Sequence, residues 1–196
     1  MNTHDLTFVY AVMGAGKSLD LLVKVYQHGR ANVLIIKPAF DTRAGLTKIW
    51  SRFENARDLD ADYVVGADEK IPHDEIVRRT GVRLVLVDEA HFFTEEQIRQ
   101  LWKLSLFVPV VCYGLKSTFK GEPFKASALL FALADKLQSI DRPCTNCANN
   151  ANFNMKVDDA QWDAQPDFQL GSTETYHPVC KACFYSVILN RRSGER

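Results

Sequence analysis

The sequence carries no excess of charge of either sign: Lys+Arg and Asp+Glu number 24 each over 196 residues, for a formal net charge of zero. Without a net field there is no electrostatic basis for gripping a nucleic-acid backbone or an anionic membrane surface, so neither is an expected partner. It also lacks any stretch of about 20 apolar residues that could span a bilayer. Its opening, MNTHDLTFVYAV, has no basic segment followed by an apolar run, so no secretory signal is expected and the expected location is the cytoplasm. Cysteine is scarce, five in all. Four fall in two Cys-x-x-Cys pairs and Cys112 stands alone in an apolar run, which is a metal pattern of a reducing compartment rather than a secreted disulfide framework. Internal repeats and low-complexity tracts are absent as well.

What is present is enough apolar material, 46% of residues, to bury one substantial core with a small appendage. Leu6 to Val12 is a short apolar run that leads through Gly14 and Gly16 into Ser18 to Gln27, where Leu21, Leu22 and Val25 share a helical face. The runs Asn32 to Pro38, Val82 to Glu89 and Val108 to Gly114 are continuously apolar rather than alternating, as parallel strands covered on both faces require. Between the last two, Thr94 and Gln97 form a capping box, followed by a stripe of Ile98, Leu101 and Trp102. Strands alternating with helices define an α/β class with a parallel sheet. Asp41 to Asp60 is polar and aperiodic and reads as a loop. After Asp141 the composition shifts to Asn, Asp, Gln and Cys, which divides the chain into a nucleotide-binding domain, 1–142, and a metal-binding lobe, 143–196.

The strand-to-helix junction is nearly a phosphate-binding loop. Gly16-Lys17-Ser18 is intact, while the first glycine of the usual pattern is replaced by Ala11. Such a loop converges backbone N–H groups on phosphate oxygens at a helix N-terminus; its lysine adds a positive charge and its hydroxyl reaches Mg²⁺. Ala11 is compatible with this if its φ is negative and Gly14 and Gly16 supply the sharp turns. The bland alternative is a strand-to-helix connection with no ligand.

Val85 to Glu89 ends a buried strand in two adjacent carboxylates, at the sheet edge where ligands of α/β folds bind. Asp88 suits a Mg²⁺ shell, and Glu89 is then free to take a proton from an attacking hydroxyl or water. The other reading is an Asp-Glu pair that caps the next segment. Asp88 to His91 spells DEAH, as in helicase ATPases, but a second motor domain does not fit in the remaining length. His91 is expected beside the site rather than in the chemistry.

Cys144-x-x-Cys147 and Cys180-x-x-Cys183 have the spacing of two zinc knuckles that present four thiolates to one tetrahedral ion. A redox dithiol is the other chemistry this spacing admits. The span between the pairs is longer than in an ordinary zinc ribbon, which suggests a loop anchored at both ends and covering something. Loss of the metal is expected to loosen this loop first and to leave a phosphate loop on the main sheet largely intact.

Taken in order, MGAGKS (Met13 to Ser18), KPAFDTR (Lys37 to Arg43), VDEAHFF (Val87 to Phe93), GLKSTFKGEPF (Gly114 to Phe124), both cysteine pairs and YHPVCKACF (Tyr176 to Phe184) run over nearly the whole chain. In these pieces the chain resembles the thymidine kinases of the zinc-containing, phosphate-loop type. The resemblance implies a RecA-like phosphate-loop domain with a small C-terminal zinc-binding lobe. It implies transfer of the γ-phosphoryl group of ATP to the 5′-hydroxyl of thymidine, giving dTMP and ADP in pyrimidine salvage.

Carried over by position, Met13, Gly14, Ala15, Gly16, Lys17 and Ser18 hold the ATP phosphates and Mg²⁺, with Asp88 on the metal. Asp41 and Arg43 line the phosphate side, and Glu89 is the general base. Met13, Phe92, Leu115, Phe119, Phe124, Asn154 and Tyr176 enclose the nucleoside, with Leu170 and Gly171 in the loop that closes over the base. Cys144, Cys147, Cys180 and Cys183 hold structural Zn²⁺. A homotetramer and feedback inhibition by thymidine triphosphate are implied too. The chain departs from the family in Ala11-Val12-Met13, where Gly-Pro-Met is usual, and in FQLGSTETY (Phe168 to Tyr176), where a valine-rich stretch with two glycines is common. Phe131 and Phe184 read as core aromatics. The competing functions are a nucleotide-gated zinc-ribbon binding module and a nucleic-acid-dependent ATPase.

Overall fold

The structure is a computed structural model and describes residues 4–41, 45–49, 59–156 and 176–192. In chain order it contains β1 (Leu6–Tyr10), α1 (Lys17–His28), β2 (Val33–Pro38), β3 (Lys48–Ile49), β4 (Leu59–Asp60), β5 (Tyr63–Val65) and α2 (His73–Arg78). There follow β6 (Leu84–Val87), α3 (Glu95–Leu104), β7 (Val110–Gly114), α4 (Lys125–Leu133), β8 (Lys136–Ser139), β9 (Phe153–Lys156), β10 (Tyr176–Val179) and α5 (Lys181–Arg192). Six strands form one sheet in the order β5-β2-β6-β7-β1-β8, with every pairing parallel. The α/β parallel-sheet class is therefore what the chain adopts.

The continuous apolar runs are explained by the two faces of this sheet. Because successive side chains point to opposite faces, Phe8, Leu34, Ile36, Val85, Val87, Val110 and Cys112 enter one core, with α3 and α4 over it. Val9, Val33, Ile35, Leu84, Leu86, Val111 and Tyr113 enter the other, beneath Leu21 and Val25 of α1. No strand position in the middle of the sheet is left to water, so no alternation is written into its sequence.

The capping box of α3 is present: the Thr94 hydroxyl accepts from the Gln97 N–H at 3.2 Å and the Gln97 side chain accepts from the Thr94 N–H at 2.9 Å. The stripe needs correction. Ile98 and Leu101 are buried, but Leu104 and Gln97 complete that face and Trp102 is 40% exposed. The cause is the Gln97 amide, which points inward to donate to the carbonyls of Gly66 and Glu69, both at 2.8 Å, and so turns Trp102 outward.

The Asp41 to Asp60 stretch also differs from a plain loop, since β3 and β4 pair antiparallel within its described part and Ile49 is buried against the α1 core. One apolar residue amid polar neighbours suffices to pin a two-residue strand. Phe131 lies at the surface, 36% exposed, with its ring edge-on to Phe8 and Tyr10, whereas Phe184 stacks on Phe153 at 4.4 Å within a small cluster around the cysteines.

Leu86 is fully buried at the centre of the sheet. Leu86→Ala is expected to cost roughly 2–5 kcal/mol of stability, read as a lowered urea midpoint. Tyr26→Ala, at a side chain 89% exposed, is expected to change it by less than about 0.5 kcal/mol.

Candidate active site

Because every strand of the main sheet runs the same way, the segments leaving β1, β2, β6 and β7 emerge along one edge. They bring Ala11 to Lys17, Asp41, the Asp88-Glu89 pair and Leu115 to the same side of the molecule. The loop after β1 has the backbone that its glycines allow. Gly14 has φ 68° and Gly16 φ 95°, whereas Ala11 is not in the left-handed region, where Glu89 is the only non-glycine residue among those described. Ala11 therefore imposes no strain, and the turns fall where a Cβ is missing. α1 begins at Lys17 without a side-chain cap, which leaves the N-terminal N–H groups and the positive end of the helix dipole directed into the loop. The Lys17 side chain is 8% exposed and its Nζ donates to the Val12 carbonyl at 3.1 Å, so the ammonium lies over the loop itself.

Glu89 sits at φ 45° and ψ 41°, a conformation that costs a non-glycine residue about 1–2 kcal/mol. It is held there because the Asp88 carboxylate accepts from its N–H at 3.0 Å and because a 3₁₀ turn follows at once, Ala90–Phe92. Strain of this kind clusters at functional sites. In this conformation Glu89 Oε2 lies 3.5 Å from His91 Nδ1. Burial, then the charge of Glu89, pushes the Asp88 carboxyl up to about 7; Asp41 adds to the effect and Lys17 opposes it. A buried carboxyl beside two further carboxylates, on the edge where α1 begins with Lys17 and Ser18, is a donor set that suits a hard divalent cation.

The 89–92 turn lies close against β7 where residue 114 is glycine. A Cβ there would meet the His91 backbone nitrogen and a Phe8 ring carbon, both at 3.3 Å. His91 is buried, and its Nδ1 accepts from the Leu115 N–H at 3.2 Å, which makes Nε2 the protonated nitrogen of the neutral ring and places Nδ1 3.5 Å from the Glu89 carboxylate. As expected, it stands beside the carboxylates.

The nucleoside candidates fall into two adjoining groups. Phe92 and Phe124 flank His91, with ring centroids 3.9 and 4.7 Å from the imidazole. Met13, Phe119 and Tyr176 form a second cluster with Leu115 against it. Leu115 belongs to both through its bond to His91. Asn154 is buried beside Met13, whose N–H donates to its Oδ1 at 2.8 Å. Arg43, Leu170 and Gly171 lie outside the described residues.

Two side chains at the site were not singled out from sequence. Lys37 is fully buried; its Nζ donates to the Lys48 carbonyl at 2.9 Å and lies 3.6 Å from Asp41, fixing the segment that carries that carboxylate. A lysine inside the apolar run VLIIKP was the available signal. Arg142 donates to the Met13 carbonyl at 2.9 Å, and nothing local in the sequence marks it. Through Arg142 and Asn154 the phosphate loop is bonded to the cysteine-bearing segment, which alters the expectation that it stands apart on the main sheet.

The four cysteine sulfurs of the two pairs lie within 4.8 Å of one another, and two of the separations are 3.6 and 3.8 Å. Thiolates at a Zn–S distance of about 2.3 Å would stand about 3.8 Å apart around a tetrahedral ion, so the donor set fits zinc. The crowded thiols are unequal: hydrogen bonding with Cys180 first, then partial burial, pushes the Cys183 thiol up to about 12, while at Cys144 burial is outweighed by backbone hydrogen bonds, which bring the thiol down to about 6. A divalent cation would draw all four into the same thiolate form.

The family model described as "Thymidine kinase" matches residues 4–184 of the chain. A thymidine kinase of Francisella tularensis subsp. holarctica is 41% identical over 158 residues, 78% of each chain. That of Albidiferax ferrireducens is 36% identical over 92% of each. That of Photorhabdus laumondii is 32% identical over 98% of each. Among solved structures, the Legionella pneumophila ATPase DotB superposes only loosely, with a TM-score of 0.38 and 13% identity over 76% of this chain and 44% of that one. No helix among the described residues is long and apolar enough to cross a membrane.

Asp88→Asn should stabilise the unliganded protein in a pH-dependent way. With its folded pKa raised, Asp88 is least unfavourable below about pH 4, where it is protonated folded and unfolded, and stability falls as the pH rises from about 4 to 7. Above 7 the substitution is expected to gain on the order of 1–4 kcal/mol, measured by denaturation at pH 5 and 8, and the gain should be smaller at pH 5. The cysteine cluster should bind one zinc per chain, and Cys180→Ser should lose it, as read by metal analysis beside a count of reactive thiols.

Proposed function

The chain belongs to the thymidine kinase family and phosphorylates thymidine with ATP, and we propose that it does so with the groups gathered at the C-terminal edge of its parallel sheet. The observation that supports this most directly is the meeting there of a glycine-turned loop bearing Lys17 with the Asp88-Glu89 turn. The loop N–H groups from Gly14 to Lys17 and the α1 N-terminus bind the phosphates. Lys17 exchanges its contact with the Val12 carbonyl for phosphate oxygens and stabilises the charge that spreads over them during transfer. Ser18 and Asp88 would hold Mg²⁺, which supplies neutralisation of charge between the β- and γ-phosphates. Asp41, fixed by Lys37, and Arg43 complete the phosphate side.

Thymidine binds between the Phe92 and Phe124 rings and the group formed by Met13, Leu115, Phe119 and Tyr176, where aromatic side chains supply contact with a flat base at small entropy cost. Leu170 and Gly171 are assigned to the same nucleoside site by the family resemblance. The strained backbone of Glu89 presents its carboxylate to the 5′-hydroxyl, from which it accepts the proton as the oxygen attacks the γ-phosphorus and the bond from that phosphorus to the β,γ-bridging oxygen breaks, ADP leaving with the electron pair. The cysteine site would hold zinc with no open position, so its part is to anchor the ends of the covering segment. On this reading the chain divides into a kinase domain, 1–142, and a zinc lobe, 143–196, and acts in the cytoplasm as a homotetramer without nucleic acid.

ATP consumption should rise with thymidine and not with single-stranded DNA; stimulation by DNA in place of thymidine would overturn the reading. Glu89→Gln keeps the shape and loses the basicity, and should lower kcat by roughly 10²- to 10⁴-fold while ATP and thymidine still bind by calorimetry.

A further inference from the structure

Both polar groups of the Met13 peptide units are held by side chains that lie far away in sequence. The Met13 N–H donates to Asn154 Oδ1 at 2.8 Å, and the Met13 carbonyl accepts from Arg142 Nη1 at 2.9 Å. The first bond is buried and the second partly so. Because each peptide is planar and trans, its N–H and C=O point in opposite directions, so holding one aims the other. By holding the Met13 N–H, Asn154 turns the Val12 carbonyl the opposite way, where Lys17 Nζ at 3.1 Å and the Ala15 N–H at 3.4 Å donate to it. By holding the Met13 carbonyl, Arg142 aims the N–H of Gly14, the first of the two left-handed glycines, to the far side of its peptide plane.

Both holding residues are tied to the cysteine-bearing segment, Asn154 as part of it and Arg142 by a backbone bond to it. The Arg142 carbonyl accepts from the Ala151 N–H and the Cys144 N–H donates to the Asn149 carbonyl, each at 2.8 Å, closing the knuckle that carries Cys144 and Cys147. Asn154 lies on β9 opposite Pro178, two residues before Cys180. A free loop between β1 and α1 would have to lose the entropy of these peptide rotations each time it met a phosphate.

We propose that Asn154 and Arg142 are positioning residues for the phosphate loop, fixing the two peptide planes at Met13 so that Lys17 and the Gly14 N–H are set for ATP before it arrives. The proposal rests on the reading of this loop as the ATP site and adds that ATP affinity depends on the cysteine lobe. Removing the acceptor at 154 leaves a buried N–H without its partner and releases the Val12 carbonyl. Removing the donor at 142 releases the Gly14 peptide.

The test is calorimetric titration of the full chain with Mg²⁺-ATP, without thymidine, for wild type, Asn154→Leu, Arg142→Met, Arg142→Lys, the Leu/Met double variant and Lys17→Ala, with zinc content and thermal midpoint measured on each. Asn154→Leu and Arg142→Met remove the hydrogen-bonding group without opening a large cavity; Arg142→Met also removes a positive charge, which Asn154→Leu does not, so a loss shared by both is the part owed to the peptide planes. Each is expected to keep its zinc and a cooperative transition and to bind ATP about tenfold more weakly. Arg142→Lys, which retains a donor, should fall between wild type and Arg142→Met. The double variant should lose less than the product of the single losses, because both act through one residue. Should Asn154→Leu fail to fold, the Arg142→Met and Arg142→Lys pair decides, since Arg142 is only half-buried. Folded, zinc-loaded variants that bind ATP within twofold of wild type, while Lys17→Ala does not bind it, would overturn the proposal and leave the ATP site standing. Normal ATP binding by Lys17→Ala would overturn the reading beneath it.

Discussion

The constraint on which the rest depends is that the central strands of the main sheet are covered on both faces. A strand position between two apolar layers cannot hold a charge without a partner, so the chemistry of the chain is confined to the strand ends. Lys37 is the case that tests this. It is fully buried at the end of β2, and it is tolerated because carbonyl oxygens and Asp41 meet its ammonium. Parallel pairing then gathers all the polar ends on one edge, and the phosphate loop, the Asp88-Glu89 turn and the Leu115 segment become neighbours although they lie as far apart as residues 11 and 115.

Confinement of charge to one edge also explains the electrostatic character of the site. Asp88 is too deeply buried and too close to other carboxylates to ionise freely, an arrangement that is unfavourable for the empty protein and favourable for a cation and a phosphate chain. The positive φ of Glu89 has the same logic: a backbone cost of about 1–2 kcal/mol is accepted in the turn that carries the two adjacent carboxylates. The cysteine cluster repeats the theme with softer ligands, since four sulfurs held within 4.8 Å form a donor set for one cation. Stability is spent at Asp88 and Glu89 for the sake of binding.

The bonds from Asn154 and Arg142 to Met13 make these two sites one system. The phosphate loop has its sharp turns from its own glycines, but the orientation of its first peptides comes from the other end of the chain. A loop oriented in this way carries information about whether the cysteine lobe is in order.

Local chemistry was legible in the sequence because it depends on short spacings. Gly16-Lys17-Ser18 after an apolar run, two carboxylates at a strand end, paired cysteines and a Thr94/Gln97 box each specify a geometry within a few residues, and the continuous apolar strands specify a sheet buried on both faces. The resemblance to a kinase family rests on the same pieces in their order. What depended on the meeting of distant segments was not legible: the outward turn of Trp102, set by where the Gln97 amide finds its carbonyls; the short β3–β4 pairing around Ile49; the burial of Lys37 against Asp41; and the hold on Met13 across 129 and 141 residues. The sequence by itself determined most of the groups that meet at this edge. Only the tertiary structure decided how they are aimed, because a hydrogen bond fixes direction through the position of its partner, and here the partners come from the far end of the chain.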